Sequence, residues 1–425
     1  MQLPQIGFIR QLHEEDSVSD TQAHVTQQLT DSRLLEPVKA GDSVLLTAGS
    51  RGIDCMVDLL SACVRAVREK GGKPIIFPSM GSHGRGEAEG QVKVLEHLGI
   101  TEETVGAPVY GRMEMVQIGT VHDNVPVYTD KVVVEADHVL VINRVKEHTE
   151  YIGETESGIL KMAVVGLGRH LGAESMHQLA VNITYQKSIT AIAKVLFDKL
   201  NILGALAMLE NHSNALRRVV PIPKGDIFDK EAELLQEAMR YKPKLPFEEL
   251  DILIVDEIGK EISGTGVDTK VIGRIMNIYE RDCETPRITR VIIRDLTEKT
   301  EGNAVGIGLA DFTTQRAVDK IDFEALNTNC ITAVTPEKGR IPITLKTDKA
   351  AIEAALKTIG LWTPESVRIA WVSNSVSLEW LAVSKKLTDS VRGRGDISIQ
   401  EDLFEFPFDP DDNLPRLAQI LPDFS

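Results

Sequence analysis

The stretch 159–178, "ILKMAVVGLGRHLGAESMHQ", runs from apolar residues through Gly166, Gly168 and Gly172 into a helix-like segment, and carries Lys161, His170 and His177. Two kinds of chemistry suit these residue types. Glycines at a tight turn before a helix can bring backbone N–H groups against a phosphate. An amine in apolar surroundings can act as a nucleophile, and imidazoles that titrate near neutrality can move protons or bind a metal. A dinucleotide site needs Gly-x-Gly-x-x-Gly and then an acidic residue at the end of the next strand, about 20 residues on. Here the third glycine comes one place late, and "NITYQKSITAIAKVL" fills the position of that strand with a helical period and no acid. The sequence therefore disfavours a nicotinamide or flavin dinucleotide. Taken alone, the glycines need only let the chain turn between packed elements.

The elements that must position these groups are legible as alternating strands and helices. "SVLLTAGSRG" reads as a strand ending in a loop, 56–70 as a helix closed by Gly71 and Gly72, and "KPIIFPSMGSHGRG" as a strand entering a glycine loop before a helix at 87–98. "ADHVLVINRVKEHTEY" is a third strand with a polar end, and 173–200 reads as one long helix. Strands alternating with helices predict a parallel, helix-covered sheet, whose ligands gather at the carboxyl ends of the strands. Three such ends carry polar residues, Ser50-Arg51, Ser82-His83-Gly84 and 144–148, and are expected to meet in one crevice.

The predicted fold class is α/β with two domains. Residues 1–245 form a parallel-sheet domain with helices on both faces, and 246–425 a second, smaller α/β domain, with the active site in the cleft between them. Pro243 and Pro246 punctuate the linker before the new buried strand "LDILIVDEIG", and "RVIIRDL", a helix at 349–359 and "VRIAWVSNS" continue the second domain. The acidic, proline-rich tail "EFPFDPDDNLPRL" reads as a surface segment able to pack back on either domain.

With 425 residues, 42% hydrophobic and 26% charged, the chain suits a globular protein large enough for two cores. A net charge of −16 with no Lys/Arg block argues against nucleic acid or an anionic membrane as partner, and leaves a small anionic substrate open. No run approaches membrane-spanning length and the N-terminus lacks a secretion-signal pattern, so a cytoplasmic protein is expected. Cys55, Cys63, Cys283 and Cys330 lack C-x-x-C spacing and are expected to be reduced thiols.

Taken together, "SMGSHGRG", "NRVKEHTEYIGETESGILKM" and "GLGRHLGAESMHQ" resemble the lactate racemase family of nickel-pincer enzymes, and within it the homologues that act on other 2-hydroxy acids. The resemblance spans roughly 44–200, with weaker agreement at "DEIGKEISGTGVDTKVIGR". It implies an isomerase that inverts the carbon bearing a hydroxyl next to a carboxylate, by hydride transfer to a pyridinium mononucleotide that grips Ni2+ through two sulfurs and a carbon. By this resemblance His83 and His148 are the two acid/base histidines, and Lys161 carries the covalent link to the cofactor. His177 is the nickel ligand, with His170 as competitor; imidazole suits nickel in a flat four-donor site. Arg51 falls beside the substrate carboxylate, which its planar fork can grip, and Lys260 is the best second-domain candidate, ahead of Arg340 and Trp380. Gly166, Gly168 and Gly172 would then lie against the cofactor phosphate.

The resemblance also implies partners that make the cofactor and insert nickel, and an oligomer is compatible with it. A few residues inserted between His148 and Lys161 point away from lactate to a larger or more polar hydroxy acid, such as a sugar acid. Two other classes stay open at this level: a non-catalytic binder of an acidic metabolite, and an NAD-dependent 2-hydroxy acid dehydrogenase.

Overall fold

The computed structural model describes residues 2–13, 16–50, 53, 55–122 and 124–422. The chain forms two compact α/β units, one comprising Glu15–His148 and Ile152–Lys242, the other Met1–Glu14, Thr149–Tyr151 and Pro243–Ser425.

The first of these units is built on a five-stranded sheet in the order Lys73–Pro78, Ser43–Ala48, His138–Arg144, Ile202–Glu210, Leu216–Pro223. The first four strands are parallel and the last is antiparallel. Leu45, Leu46, Leu140 and Val141 are fully buried, as expected for strands covered on both faces. Helix Met56–Glu69 turns Leu59, Leu60, Cys63 and Val67 into a core shared with Leu46, Ile76 and Leu140. Burial pushes the Cys63 thiol up to about 12, which keeps it protonated and inert.

The second unit is built on an eight-stranded sheet. Five neighbouring strands, Ile343–Leu345, Phe312–Thr314, Arg287–Leu296, Glu249–Ile258 and Ile369–Val372, are parallel. Trp380–Ser384, Ile6–Gln11 and Ile397–Ile399 continue the sheet antiparallel. Alternate residues of "LDILIVDEIG" enter different cores, Leu253 and Val255 on one face, Ile252 and Ile254 on the other.

One expectation about domain organisation needs correction. The strand Ile6–Gln11 joins the unit that begins at Pro243, where it pairs with Trp380–Ser384 and Ile397–Ile399, rather than opening a 1–245 domain. The acidic tail packs on that same unit. Buried Arg294 ties Asp256 and Asp348 together and donates to the carbonyl of Pro415, while the Leu417 N–H donates to Asp256 (2.6 Å). Among the described residues no helix is long and apolar enough to cross a membrane.

Candidate functional site

Parallel register decides where the loops emerge. Ala48 lies opposite Pro78 and Leu46 opposite Leu140, so the strands Lys73–Pro78, Ser43–Ala48 and His138–Arg144 finish side by side at one edge of the sheet. Neighbouring strands are about 4.8 Å apart, so the loops bearing His83 and His148 leave the sheet from ends about 10 Å apart. Between them ends the strand Ser43–Ala48; Arg51 lies outside the described residues.

A single helical run crosses this edge. It comprises Ile159–Lys161, a π-helical segment Met162–Leu167 and the helix Arg169–Ile183. It touches each strand-end loop in turn. The Asn143 side chain donates to the Gly158 carbonyl (2.8 Å), fastening the strand His138–Arg144 to the start of the run. A methyl at Gly49 would stand 3.1 Å from Met162 Cε, and one at Gly81 would stand 3.0 Å from both Val165 and Ala173. Gly86 lies against His170, where an added methyl would come within 3.3 Å of its Cβ. Half-buried Lys161 and His177 both sit on this run, while His83 is exposed in a loop of left-handed residues, Gly84 (φ 61°), Arg85 (φ 60°) and Gly86 (φ 69°).

In a straight α-helix, the 16 positions from Lys161 to His177 would span about 24 Å. The run is not straight. After Gly168, Arg169 takes a left-handed conformation (φ 51°) and turns the chain. A non-glycine residue holds such a conformation only where its surroundings fix it. Arg169 is fully buried, pairs with buried Asp130 (3.2 Å), stacks on Phe77 (4.3 Å) and donates to Gln91. Burial pushes the Asp130 carboxyl up, and Arg169 pulls it back down. Gln91 in turn donates to the carbonyls of Met80 (2.8 Å) and Gly81 (2.9 Å), so the bend and the His83 loop share one polar brace.

The three glycines, expected from the sequence to form a phosphate cradle at a helix start, lie inside this run. The N–H groups of Gly168 and Gly172 are bonded within the run, to Gly166 and Gly168 carbonyls. Methyls at Gly168 and Gly172 would run into the Val164 carbonyl, and one at Gly166 would come within 3.0 Å of Ser79. The glycines permit close packing at the bend. The expected single helix over 173–200 is also two, Arg169–Ile183 and Tyr185–Lys199, broken at Thr184 (φ 79°).

The break brings forward a residue the sequence reading missed. The buried Tyr185 ring lies 6.0 Å from the His148 ring and 5.8 Å from the His177 ring, so these two imidazoles share one neighbour. His170, the competing nickel ligand, instead packs on the Gly86 loop, with its buried Nδ1 making no hydrogen bond. Two buried carboxylates were missed as well. Glu156 accepts the His148 N–H (2.5 Å) and the Gly153 N–H (3.2 Å), closing the loop that carries His148. Glu231, on the helix Ile227–Tyr241, accepts the Leu160 N–H (2.8 Å) one residue before Lys161. Burial pushes the Glu231 carboxyl up to about 8, against the pull of the Leu160 and Ile159 N–H groups.

Directly after His148 the chain passes into the other unit. There the Thr149 carbonyl accepts from the Thr269 hydroxyl (2.7 Å), and Glu150 pairs with fully buried Lys338. Lys260 belongs to that unit, just past the strand Glu249–Ile258, and its amine donates to Asn329 Oδ1 (3.0 Å). Arg340 is exposed, and Trp380 lies under the Arg10 guanidinium (5.5 Å).

No curated protein matches the chain in sequence. Its residues 48–225, which include all three strand-end loops and the bent helical run, match the family model described as "Domain of unknown function (DUF362)". Two solved structures share the fold. One is a protein of Thermotoga maritima (14% identity, TM-score 0.52), covering 85% of this chain and 99% of its own. The other is the lactate racemase apoprotein of Thermoanaerobacterium thermosaccharolyticum (13% identity, TM-score 0.52), covering 85% of this chain and 93% of its own. The mixed α/β architecture of this chain is therefore that of a lactate racemase-like fold.

Proposed function

We propose that this protein is a nickel-pincer nucleotide dependent racemase or epimerase acting at C2 of a 2-hydroxy acid, with a sugar acid preferred to lactate. The observation that carries the reading is the bent helical run. It bears Lys161 and His177 across the edge of the sheet from which the loops of His83 and His148 emerge, and Tyr185 packs on both His148 and His177.

The residues present fit the cofactor. Lys161 offers a half-buried side chain flanked in the chain by Leu160, Met162 and Ala163, and an amine is the nucleophile that a covalent link to the cofactor requires. His177 offers one imidazole, a donor that suits nickel. When bound, the group would supply a hydride acceptor and a metal centre.

The protein's own residues supply the rest. His83 and His148 take and return the hydroxyl proton on the two sides of the substrate, a task suited to a group that titrates near neutrality. Arg51 and Lys260 supply positive charge to the carboxylate. The partners implied are a small anionic 2-hydroxy acid and the proteins that assemble the cofactor and insert nickel. The fold relation to a lactate racemase supports an isomerase of this kind.

The test is expression together with cofactor-synthesis enzymes, followed by intact-mass and nickel analysis and a screen of hydroxy acids for deuterium exchange and inversion at C2. A mass adduct on Lys161, nickel near one equivalent, and loss of both in Lys161→Arg are expected. Unmodified Lys161 with no nickel and no exchange overturns the proposal.

A further inference from the structure

We infer that Tyr185 is a positioning residue that sets the orientation of His148 and His177 together, through the contact of its ring with both imidazoles. The inference rests on the proposed function for its catalytic consequence alone, and the packing around Tyr185 carries its structural content.

The Tyr185 ring is almost fully buried, 6.0 Å from His148 with the planes tilted by 33°, and 5.8 Å from His177 edge-on at 65°. His177 comes from the helix Arg169–Ile183 and His148 from the loop after the strand His138–Arg144, so a single side chain spaces groups carried by two different elements. Aromatic contacts of this kind favour particular approach geometries, which lets one ring orient its neighbours as well as separate them.

The backbone is arranged to hold that ring in place. Thr184, immediately before it, has φ 79°, a conformation a β-branched residue takes only where the surroundings over-determine it. This turn ends one helix with the Thr184 N–H on the Ala180 carbonyl and begins the next with the Ser188 N–H on the Thr184 carbonyl. On the other side of Tyr185, Gln186 packs so closely on Gly153 that a methyl there would stand 2.7 Å from its Oε1. Gly153 and His148 both donate their N–H groups to Glu156, so the break at Thr184 and the loop of His148 are locked to each other. The unusual backbone, the doubly contacted ring and the glycine beside it all serve one spacing.

The experiment compares Tyr185→Leu, Tyr185→Phe and Thr184→Gly. In the apoprotein, the imidazole resonances of His148 and His177 are followed by NMR through a pH titration, assigned with single His→Gln variants. In the nickel-loaded holoenzyme, kcat and KM for C2 exchange are measured. Tyr185→Leu is expected to displace both imidazole resonances and to lower kcat by about tenfold or more with KM little changed, the scale of loss that follows when reacting groups move slightly apart. Tyr185→Phe, which keeps the ring, is expected to recover most of both effects.

Movement of only one imidazole, or of neither, overturns the inference, as does a Tyr185→Phe variant as impaired as Tyr185→Leu. Should Tyr185→Leu fail to fold, Thr184→Gly decides. It retains every side chain at the contact and frees the backbone that fixes them, so both resonances are expected to move, and unchanged resonances overturn the inference. If the wild-type holoenzyme shows no exchange, the racemase reading falls while the NMR comparison still decides the role of Tyr185.

Discussion

Replacing Glu231 by glutamine probes the joint that carries Lys161. Glu231 is fully buried, one carboxylate oxygen accepts the Leu160 N–H, and the other makes no hydrogen bond and occupies the space where a side chain at Gly158 would stand. Its carboxyl is pushed from 4.5 up to about 8, so the folded chain binds a proton that the unfolded chain releases across that interval. Because the folded state holds the extra proton, this group's contribution to stability is fully present below about pH 4.5 and is lost as pH rises toward 8. At about 1.4 kcal/mol per pH unit, the whole interval amounts to about 5 kcal/mol.

Glutamine keeps the shape and the acceptor but does not titrate, so it isolates this effect. Urea unfolding of the wild type and Glu231→Gln, followed at one-unit steps from pH 4.5 to 9, is expected to give a stability difference that moves against the wild type through the interval and levels off above pH 8. Hydrogen exchange at the Leu160 amide adds a local reading: slow in the wild type and in Glu231→Gln, faster in Glu231→Ala. Parallel stability profiles for wild type and Glu231→Gln would refute the reasoning, since they would mean that Glu231 ionises in the folded chain as it does in the unfolded one.

Arg169→Leu leaves Asp130 buried without its partner and is expected to cost about 3–5 kcal/mol in chemical denaturation. Adding Asp130→Asn should return part of that loss, and a double mutant no better than Arg169→Leu alone would show that the pair is not coupled. Gly168→Ala tests close packing apart from backbone strain, because Gly168 has an ordinary helical backbone (φ −77°, ψ −9°) while its methyl would meet the Val164 carbonyl. It is expected to destabilise by about 1–3 kcal/mol, the usual cost of overpacking, and an unchanged melting temperature would contradict the packing role.

What the sequence made legible follows from the range over which each feature is determined. Strands such as "SVLLTA" and "LDILIVDEI" are readable because burial on both faces demands a continuous apolar run, a local requirement. The adjacency of the three parallel strands was legible too, since right-handed parallel connections leave few alternatives. The bend at Arg169 was not readable, because a left-handed arginine depends on Asp130 and Phe77, which are distant in sequence, whereas the three nearby glycines offer a local and misleading explanation. The break at Thr184 hides for a related reason: "NITYQKSITAIAKVL" keeps a helical period through it, while Tyr185 and Gln186, just after the break, pack on the His148 loop, which is distant in sequence. Glu231 and Glu156 escape a motif search because a carboxylate that caps a backbone N–H has no fixed distance from the residue it steadies. The first strand is misassigned for want of a local signal, since antiparallel pairing of Ile6–Gln11 with strands near the other end of the chain leaves no periodicity to read. In this protein the groups proposed for chemistry stand out by type and spacing, while the residues that pack around them are specified by contacts the linear sequence does not encode locally.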